Sequence, residues 1–314
     1  MRLASKVLAS LLLSAPLVAL PAVHAADAAG GTVGVTPASG GAKVAAAVTT
    51  SVGYWVAGSQ VTAADAFGDA NGVAMPPFSQ SIAPIVGIAA YEPTGLGYWT
   101  VAANGGVFTF GDAPFAGSAG ALRLAAPIVG MAATRSGQGY WLLGRDGGVF
   151  TFGDAPFFGS GVGEDPGSPA VGIARTGFHT SPGYLIAYAD GSVWSHTAGS
   201  VTRVAAPIRG LAAPVVGIAA TPSEMGWYLA ARDGGVFTFG DARFAGSMGG
   251  VRLGGPVVGI AARYDGGYYL VGADEGIFTF GGAPFLGTFE GSAHAGFGPA
   301  VGIAATPDPT APLA

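Results

Sequence analysis

Gly139-Tyr140-Trp141-Leu142-Leu143-Gly144-Arg145-Asp146-Gly147-Gly148-Val149-Phe150-Thr151-Phe152-Gly153-Asp154-Ala155-Pro156-Phe157-Phe158-Gly159-Ser160 is the stretch whose reading decides the fold. It holds two short aromatic and aliphatic runs, Tyr140 to Leu143 and Val149 to Phe152, on either side of Asp146-Gly147. Apolar runs of that length between glycines are strand signals and too short for helices. Asp-Gly tolerates the positive φ angles of a type I′ turn, so the two runs read as a tight hairpin.

The same phrase recurs along the chain. Gly followed by two large residues occurs at Gly53, Gly97, Gly139, Gly183, Gly226 and Gly267, at intervals of 44, 42, 44, 43 and 41 residues. A Val-Gly-Ile/Met-Ala anchor begins at Val86, Val129, Val171, Val216, Val258 and Val301. The Gly-Gly-Val-Phe-Thr-Phe-Gly-Asp-Ala element has copies at Gly106, Gly148, Gly235 and Gly276, each followed by a Phe-x-Gly-Ser/Thr segment at Phe115, Phe157, Phe244 and Phe285. The hairpin junctions are Asn104-Gly105, Asp146-Gly147, Asp190-Gly191 and Asp233-Gly234.

Each unit therefore carries four short strand segments. Ile85 to Ile88 and Val107 to Phe110 have no clean polar face, as expected for sheets covered on both sides. Four antiparallel strands in about 40 to 45 residues, covered by neighbouring units, describe the blade of a β-propeller. A solenoid would need polar capping repeats, which the chain lacks. The expected fold is all-β, a β-propeller of six blades of four antiparallel strands, with seven as the alternative. The chain starts with a Gly-Tyr-Trp half-unit and ends with a Val-Gly-Ile-Ala half-unit, so residues 301–306 are expected to complete the first blade and close the ring. Val44 to Thr50 resembles a degenerate copy of the same strand, which would make the first blade self-sufficient.

The N-terminus carries Arg2 and Lys6, an apolar run from Val7 to Leu20 and the small-residue site Val23-His24-Ala25. These features read as a signal peptide over residues 1–25, cleaved near Ala25. The run is shorter than a bilayer span and contains Pro16, so no transmembrane segment is expected in the mature chain. Residues 26–43 read as a flexible leader, 44–306 as the propeller and 307–314 as a tail. The expected localisation is secreted or cell surface. Removing residues 1–25 takes two of 13 basic residues and none of 18 acidic ones, leaving a net charge of −7. That balance, with no basic stripe, argues against nucleic acid as a partner. With no cysteine among 314 residues, stability outside the cell must come from packing. The 56 glycines and 10% charged residues could indicate low complexity, but 50% hydrophobic residues point to an ordered, turn-rich protein.

Residues 139–160 resemble the tandem repeat of a large group of secreted actinobacterial proteins, in which such units occur alone or appended to cell-wall hydrolases, peptidases and other secreted enzymes. The likeness covers nearly all of residues 44–306. More distantly, the order of Ile-Ala strand, aromatic strand, Asp-Gly turn and Val-Phe-x-Phe-Gly strand is similar to regulator-of-chromosome-condensation propellers. That resemblance implies seven blades; the nuclear partners of that family do not fit a signal peptide and a negative charge.

Candidate ligand-binding residues are Asp69, Asp112, Asp154 and Asp241, at equivalent places in four units, and Trp194 and His196 in the fourth unit. Equivalent carboxylates on one face could bind cations or polar ligands, but hard-cation sites need several oxygens within a few ångströms. The plainer reading is an Asx turn, and Gly282 in place of the aspartate in the sixth unit fits that reading. The Tyr-Trp pairs could stack on sugars, but interblade packing accounts for them more simply, since burying each is worth about 1.5–3 kcal/mol. Arg123, Arg252 and Arg203 could pair with blade-edge aspartates or offer donors to an anion. The fourth unit, residues 171–215, departs furthest, with Gly191-Ser192-Val193-Trp194-Ser195-His196 in place of the common motif and with His179, Tyr188 and Asp190 nearby. In a repeat protein the deviant unit is where a specialised site is written over the scaffold, although drift also produces such departures.

No Gly-x-Ser-x-Gly elbow, His-Glu-x-x-His, P-loop or closely spaced metal-ligand set occurs. No catalytic residue, metal or cofactor is assigned. The leading expectation is a non-catalytic binding module that presents a propeller face to a glycan or protein of the cell envelope. The alternatives are a hydrolase or lyase at the central channel and a structural spacer. The first of these alternatives requires two or more ionisable groups gathered at the channel mouth. Oligomeric state is not legible in the sequence.

Overall fold

The computed structural model describes residues 52–70, 83–164, 167–177, 182–288 and 297–307. The signal peptide, the leader, the Val44–Thr50 segment, His179 and the tail beyond Pro307 lie outside the described residues. The chain divides into two units, Met1–Ala47 and Val48–Ala314; only the second contains described residues. Among them there are nineteen strands and no helix.

The strands fall into three roles. The Val-Gly-Ile/Met-Ala anchors form opening strands β3 (Ile85–Ala90), β6 (Ile128–Ala133), β9 (Ala170–Thr176), β13 (Val215–Ala220), β16 (Val257–Ala262) and β19 (Ala300–Ala305). The aromatic anchors form middle strands β1 (Gly53–Gly58), β4 (Gly97–Ala102), β7 (Gly139–Gly144), β10 (Gly183–Tyr188), β14 (Trp227–Ala231) and β17 (Tyr268–Gly272). The third strands are β2 (Ala64–Gly68), β5 (Val107–Gly111), β8 (Val149–Gly153), β11 (Val193–Thr197), β15 (Val236–Phe239) and β18 (Ile277–Phe280).

They assemble into six antiparallel sheets, each ordered opening, middle, third. The middle strands are buried along their whole length, which explains sequences without a polar face. β19 pairs with β1, placing Trp55 opposite Ala304 and Val56 opposite Ile303. The opening strands pack in the order β3, β6, β9, β13, β16, β19, and β19 packs in turn on β3. Glycine in each anchor permits that approach: a Cβ on Gly259 would stand 3.2 Å from the Gly302 Cα of the next opening strand.

Aromatic side chains join one sheet to the next. Trp55 meets Tyr98, Trp99 meets Tyr140, Trp141 meets Tyr184, Tyr228 meets Tyr268 and Tyr269 meets Tyr54, with centroids 4.8–5.8 Å apart. The Tyr-Trp pairs are thus packing residues, all at most 3% exposed. The tyrosine hydroxyls add a stitch. Tyr54, Tyr140, Tyr184 and Tyr268 donate to the carbonyls of Gly287, Gly117, Gly159 and Gly246, the glycines of the preceding Phe-x-Gly segments. At Gly117, φ is +131° and a Cβ would lie 2.6 Å from Phe152, so only glycine turns the carbonyl toward Tyr140. The first and fourth units have no Phe-x-Gly segment. In the units that follow them, Tyr98 donates instead to the Ala64 carbonyl, and Trp227, which has no hydroxyl, replaces the tyrosine.

Two expectations change. Among the described residues five sheets have three strands, not four, and one, β9–β11, gains a fourth, β12 (Ser200–Ala205); the fourth segment of the first unit falls in residues 71–82, outside the described residues. The fourth segments of the second, third and sixth units begin Ala-Pro-Phe, and that of the fifth ends in the same Phe-x-Gly with φ near +130°. Proline lacks the N–H for a ladder and positive φ breaks the pleat. The hairpins, moreover, are not type I′. Only the glycine of each Asn/Asp-Gly has positive φ, +83° to +85°, and the Gly105 N–H donates to the Ala102 carbonyl while Ala102 N–H donates to Gly106. That is a three-residue loop, a type I turn ending in a left-handed glycine. The Asn104, Asp146, Asp190 and Asp233 side chains hold it by accepting from the N–H two residues on, at 2.9–3.0 Å.

Candidate functional site

Where the six opening strands end, a cavity of about 560 Å³ opens. Five strands end it with alanine at one equivalent position, Ala90, Ala133, Ala220, Ala262 and Ala305; β9 has Arg175 there. The following loops add Glu92, Arg135, Glu224 and Tyr264. Deeper along the same strands the space shrinks to about 90 Å³, lined by the glycine and Ile or Met of each anchor. The wide end therefore offers the larger space.

The ionisable residues form one network. Arg175 Nε donates to Glu224 Oε1 at 2.5 Å, its Nη2 reaches both Glu92 oxygens at 2.9 and 3.1 Å, and its Nη1 donates to the Ala133 carbonyl at 3.3 Å. Arg135 Nη2 donates to the same Glu224 Oε1 at 2.7 Å. The four residues come from four successive sheets, and their charges cancel. Burial opposes the Arg175 charge, but Glu92 and Glu224 outweigh it and hold its pKa above the ordinary arginine value. The side chains of Arg175 and Glu224 are 18% and 7% exposed, against 38% for Arg135 and 37% for Glu92. Arg175 is thus a saturated hub and Arg135 its open edge.

Glu224 occupies an unusual backbone position. Its φ is +58°, where the matching turns of other units carry Gly95, Gly137 and Gly266 at +67°, +68° and +88°. An L-residue there costs roughly 1–2 kcal/mol, which the contacts that hold Glu224 must offset.

The four aspartates expected as ligands are exposed at the ends of β2, β5, β8 or beyond β15. Two of them act locally. Asp154 accepts from Thr134 Oγ1 at 2.9 Å and Ser136 Oγ at 2.5 Å; Asp241 accepts from Thr221 Oγ1 at 2.8 Å and Ser223 Oγ at 2.5 Å. The clamped loops are the ones that carry Arg135 and Glu224. Asp69 accepts from the Val52 N–H at 3.3 Å. Among the described residues, no group of three or more His, Cys, Asp or Glu is placed to hold a metal.

The fourth-unit candidates lie elsewhere. Trp194 stacks under Arg203, 5.4 Å from its guanidinium carbon. His196 is fully buried, stacked on Tyr184, with Nε2 3.2 Å from Glu164 Oε2. Burial lowers the His196 pKa, with the Phe158 backbone opposing, and burial raises that of Glu164 against the Tyr188 hydrogen bond. Burial thus favours the neutral imidazole, which faces the fold's interior. The deviant fourth unit contributes Arg175 to this network, a residue not among the candidates named from the sequence; its signal was an arginine at a position where five repeats carry alanine.

No protein family and no curated protein matches the chain. Solved structures do. A chain of a nidogen/laminin complex aligns with 9% identity and a TM-score of 0.54, covering 81% of this chain and 98% of that one. Its structural neighbours are β-propeller domains. They include the Cps50 (Swd1) β-propeller domain of Myceliophteria thermophila, at 14% identity, 76% and 82% coverage and a TM-score of 0.48. A Bacteroides thetaiotaomicron protein of unknown function aligns at 13% identity over 72% of this chain and 64% of its own, with a TM-score of 0.48, so the present chain spans less than two thirds of it. At these identities the likeness carries fold alone.

Proposed function

We propose that this chain is a secreted, non-catalytic interaction module, a six-bladed propeller closed by β19 on β1, whose Arg175 face docks a glycan or protein of the cell envelope. The six sheets and the cyclic packing of the opening strands support the blade count. The signal-like residues 1–25 and the actinobacterial repeat resemblance support export and an envelope partner. One observation carries the choice of face: the two residues that break the repeat at this end, Arg175 in place of alanine and Glu224 in place of glycine, bond to each other at 2.5 Å. Drift in a scaffold scatters departures; paired departures at a cavity indicate a selected arrangement.

The test is retention of the mature chain, residues 26–314, on an isolated cell-envelope fraction, with competition by its purified polysaccharide and protein components. Retention that falls on replacing Arg135 or Glu92 supports the reading. Absence of retention, or retention indifferent to both, rejects it.

The hydrolase or lyase alternative required ionisable groups at the channel mouth, and four gather there. Both carboxylates, however, are engaged by guanidinium groups, which suits recognition better than proton transfer. Release of reducing ends from envelope polysaccharide by the pure protein would favour the enzyme.

A further inference from the structure

The Arg175 cavity has a chemistry more specific than a generic docking face. Its charged residues stand on four successive sheets, those of β3, β6, β9 and β13. The remaining two, those of β16 and β19, contribute Ala262, Tyr264, Ala305, Thr306 and Pro307. In the cycle of opening strands β16 stands three places from β6, so Tyr264 and Arg135 belong to opposite sides of the cavity. Tyr264 is half-buried, and the Arg263 guanidinium carbon lies 5.1 Å from its ring centroid. Asp265 holds that arginine with contacts of 2.7–3.2 Å.

The open groups at the charged side are matched donors and acceptors. Arg135 uses one nitrogen on Glu224 and keeps the rest of its planar fork free among the described residues; Glu92 is bound from one side only, by Arg175 Nη2. Two arginines against two glutamates leave no net field to draw an ion. Neighbouring hydroxyls on a sugar ring both donate and accept, so they satisfy a guanidinium fork and a carboxylate edge at once. A peptide end brings one carboxylate and few donors. An aromatic face opposite the polar groups provides a platform for the apolar face of a pyranose ring. The volume, about 560 Å³, lies within the roughly 300–1,000 Å³ of small-molecule sites and admits one or two such rings.

The geometry points to a binding site for an uncharged sugar unit of a glycan, with its hydroxyls on Arg135 and Glu92 and a ring face against Tyr264. This rests on the glycan form of the function proposed above.

The experiment is titration calorimetry of residues 26–314 with cellotriose, maltotriose, tri-N-acetylchitotriose and trigalacturonate. Alongside the unaltered chain it uses Arg135→Ala, Tyr264→Ala and the conservative Tyr264→Phe, each checked for an unchanged melting transition. We expect at least one uncharged trisaccharide to bind. Arg135→Ala and Tyr264→Ala should each weaken it about tenfold, the loss of one hydrogen bond to a charged group or one stacking contact. Tyr264→Phe should retain it. Raising salt from about 50 mM to about 500 mM should change the affinity less than about twofold, because no net charge is neutralised. Three results overturn the inference while leaving the envelope function standing: binding unaffected by either alanine variant, salt-sensitive binding of trigalacturonate alone, or retention on envelope protein with no trisaccharide bound. If neither trisaccharides nor the envelope fraction bind, the proposed function falls as well.

Discussion

The Arg175 Nε lies 2.5 Å from Glu224 Oε1, so a side chain from β9 is tied to the loop after β13 on the neighbouring sheet. The two groups are largely buried, at 18% and 7% exposure. Removing one member of such a pair leaves the other desolvated, at a cost of about 3 kcal/mol. Arg175→Ala restores the alanine that five other opening strands carry, so its packing is tolerated and the measured loss is electrostatic. Urea denaturation of Arg175→Ala, Glu224→Ala and the double variant should give a coupling of about 2 kcal/mol. A coupling below about 0.5 kcal/mol would mark the contact as an ordinary surface pair.

Glu224 sits at φ +58° in a turn whose counterparts use glycine. Glu224→Gly and Glu224→Ala both lose the ion pair, but only glycine relieves the backbone. The glycine variant should be the more stable by about 1 kcal/mol, read from the same denaturation curves. Equal stability would remove backbone strain from the account of this position.

What could be read in advance follows from what repeats. The periodic Gly-Tyr-Trp and Val-Gly-Ile-Ala anchors placed the middle and opening strands, and the split half-units anticipated the pairing of Trp55 with Ala304. The fourth strand was misjudged because Pro114, Pro156 and Pro284 cannot donate to a ladder, a stronger effect than the apolar pattern of their segments. Type I′ turns were expected from Asn-Gly and Asp-Gly, yet the acceptor side chains of Asn104 and Asp146 capture the N–H two residues on and hold their own φ negative. The cavity network was half legible. Arg175 and Glu224 are visible departures from the repeat, but nothing in the sequence states that the end of β9 faces the loop after β13; that proximity depends on the order in which the opening strands pack.

The tyrosine stitches predict an alkaline transition. Burial raises the pKa of Tyr54, Tyr98, Tyr140 and Tyr184 from 10.0 to about 12, against hydrogen bonds to nearby backbone that lower it. In the unfolded chain they ionise near 10, so between pH 10 and 12 the folded state binds more protons. The stabilisation is complete below pH 10 and is lost as the pH rises toward 12. Denaturation midpoints should fall steeply over that window, with tyrosinate absorbance appearing together with unfolding. Early tyrosinate absorbance in a protein that remains folded would contradict the buried assignment. Tyr140→Phe, which loses the bond to the Gly117 carbonyl, should cost about 1 kcal/mol at neutral pH.

Asp154 and Asp112 occupy equivalent places, yet their side chains differ in what they hold. Asp154 accepts from Thr134 and Ser136, on either side of Arg135, whereas no side-chain bond joins Asp112 to the described residues. If the aspartates formed a ligand ring, replacing either would have the same effect on binding and little on stability. The clamp predicts asymmetry. Asp154→Ala should destabilise by about 1 kcal/mol, a charged hydrogen bond discounted for its exposure. It should also speed amide exchange across residues 134–138 and weaken any ligand held by Arg135. Asp112→Ala should stay within about 0.5 kcal/mol of the unaltered chain, as an ordinary surface substitution does. Hydrogen exchange read by mass spectrometry, with the same ligand titration on both variants, separates the two cases. Matching losses of binding in both, without faster exchange, would return the aspartates to the role of ligands.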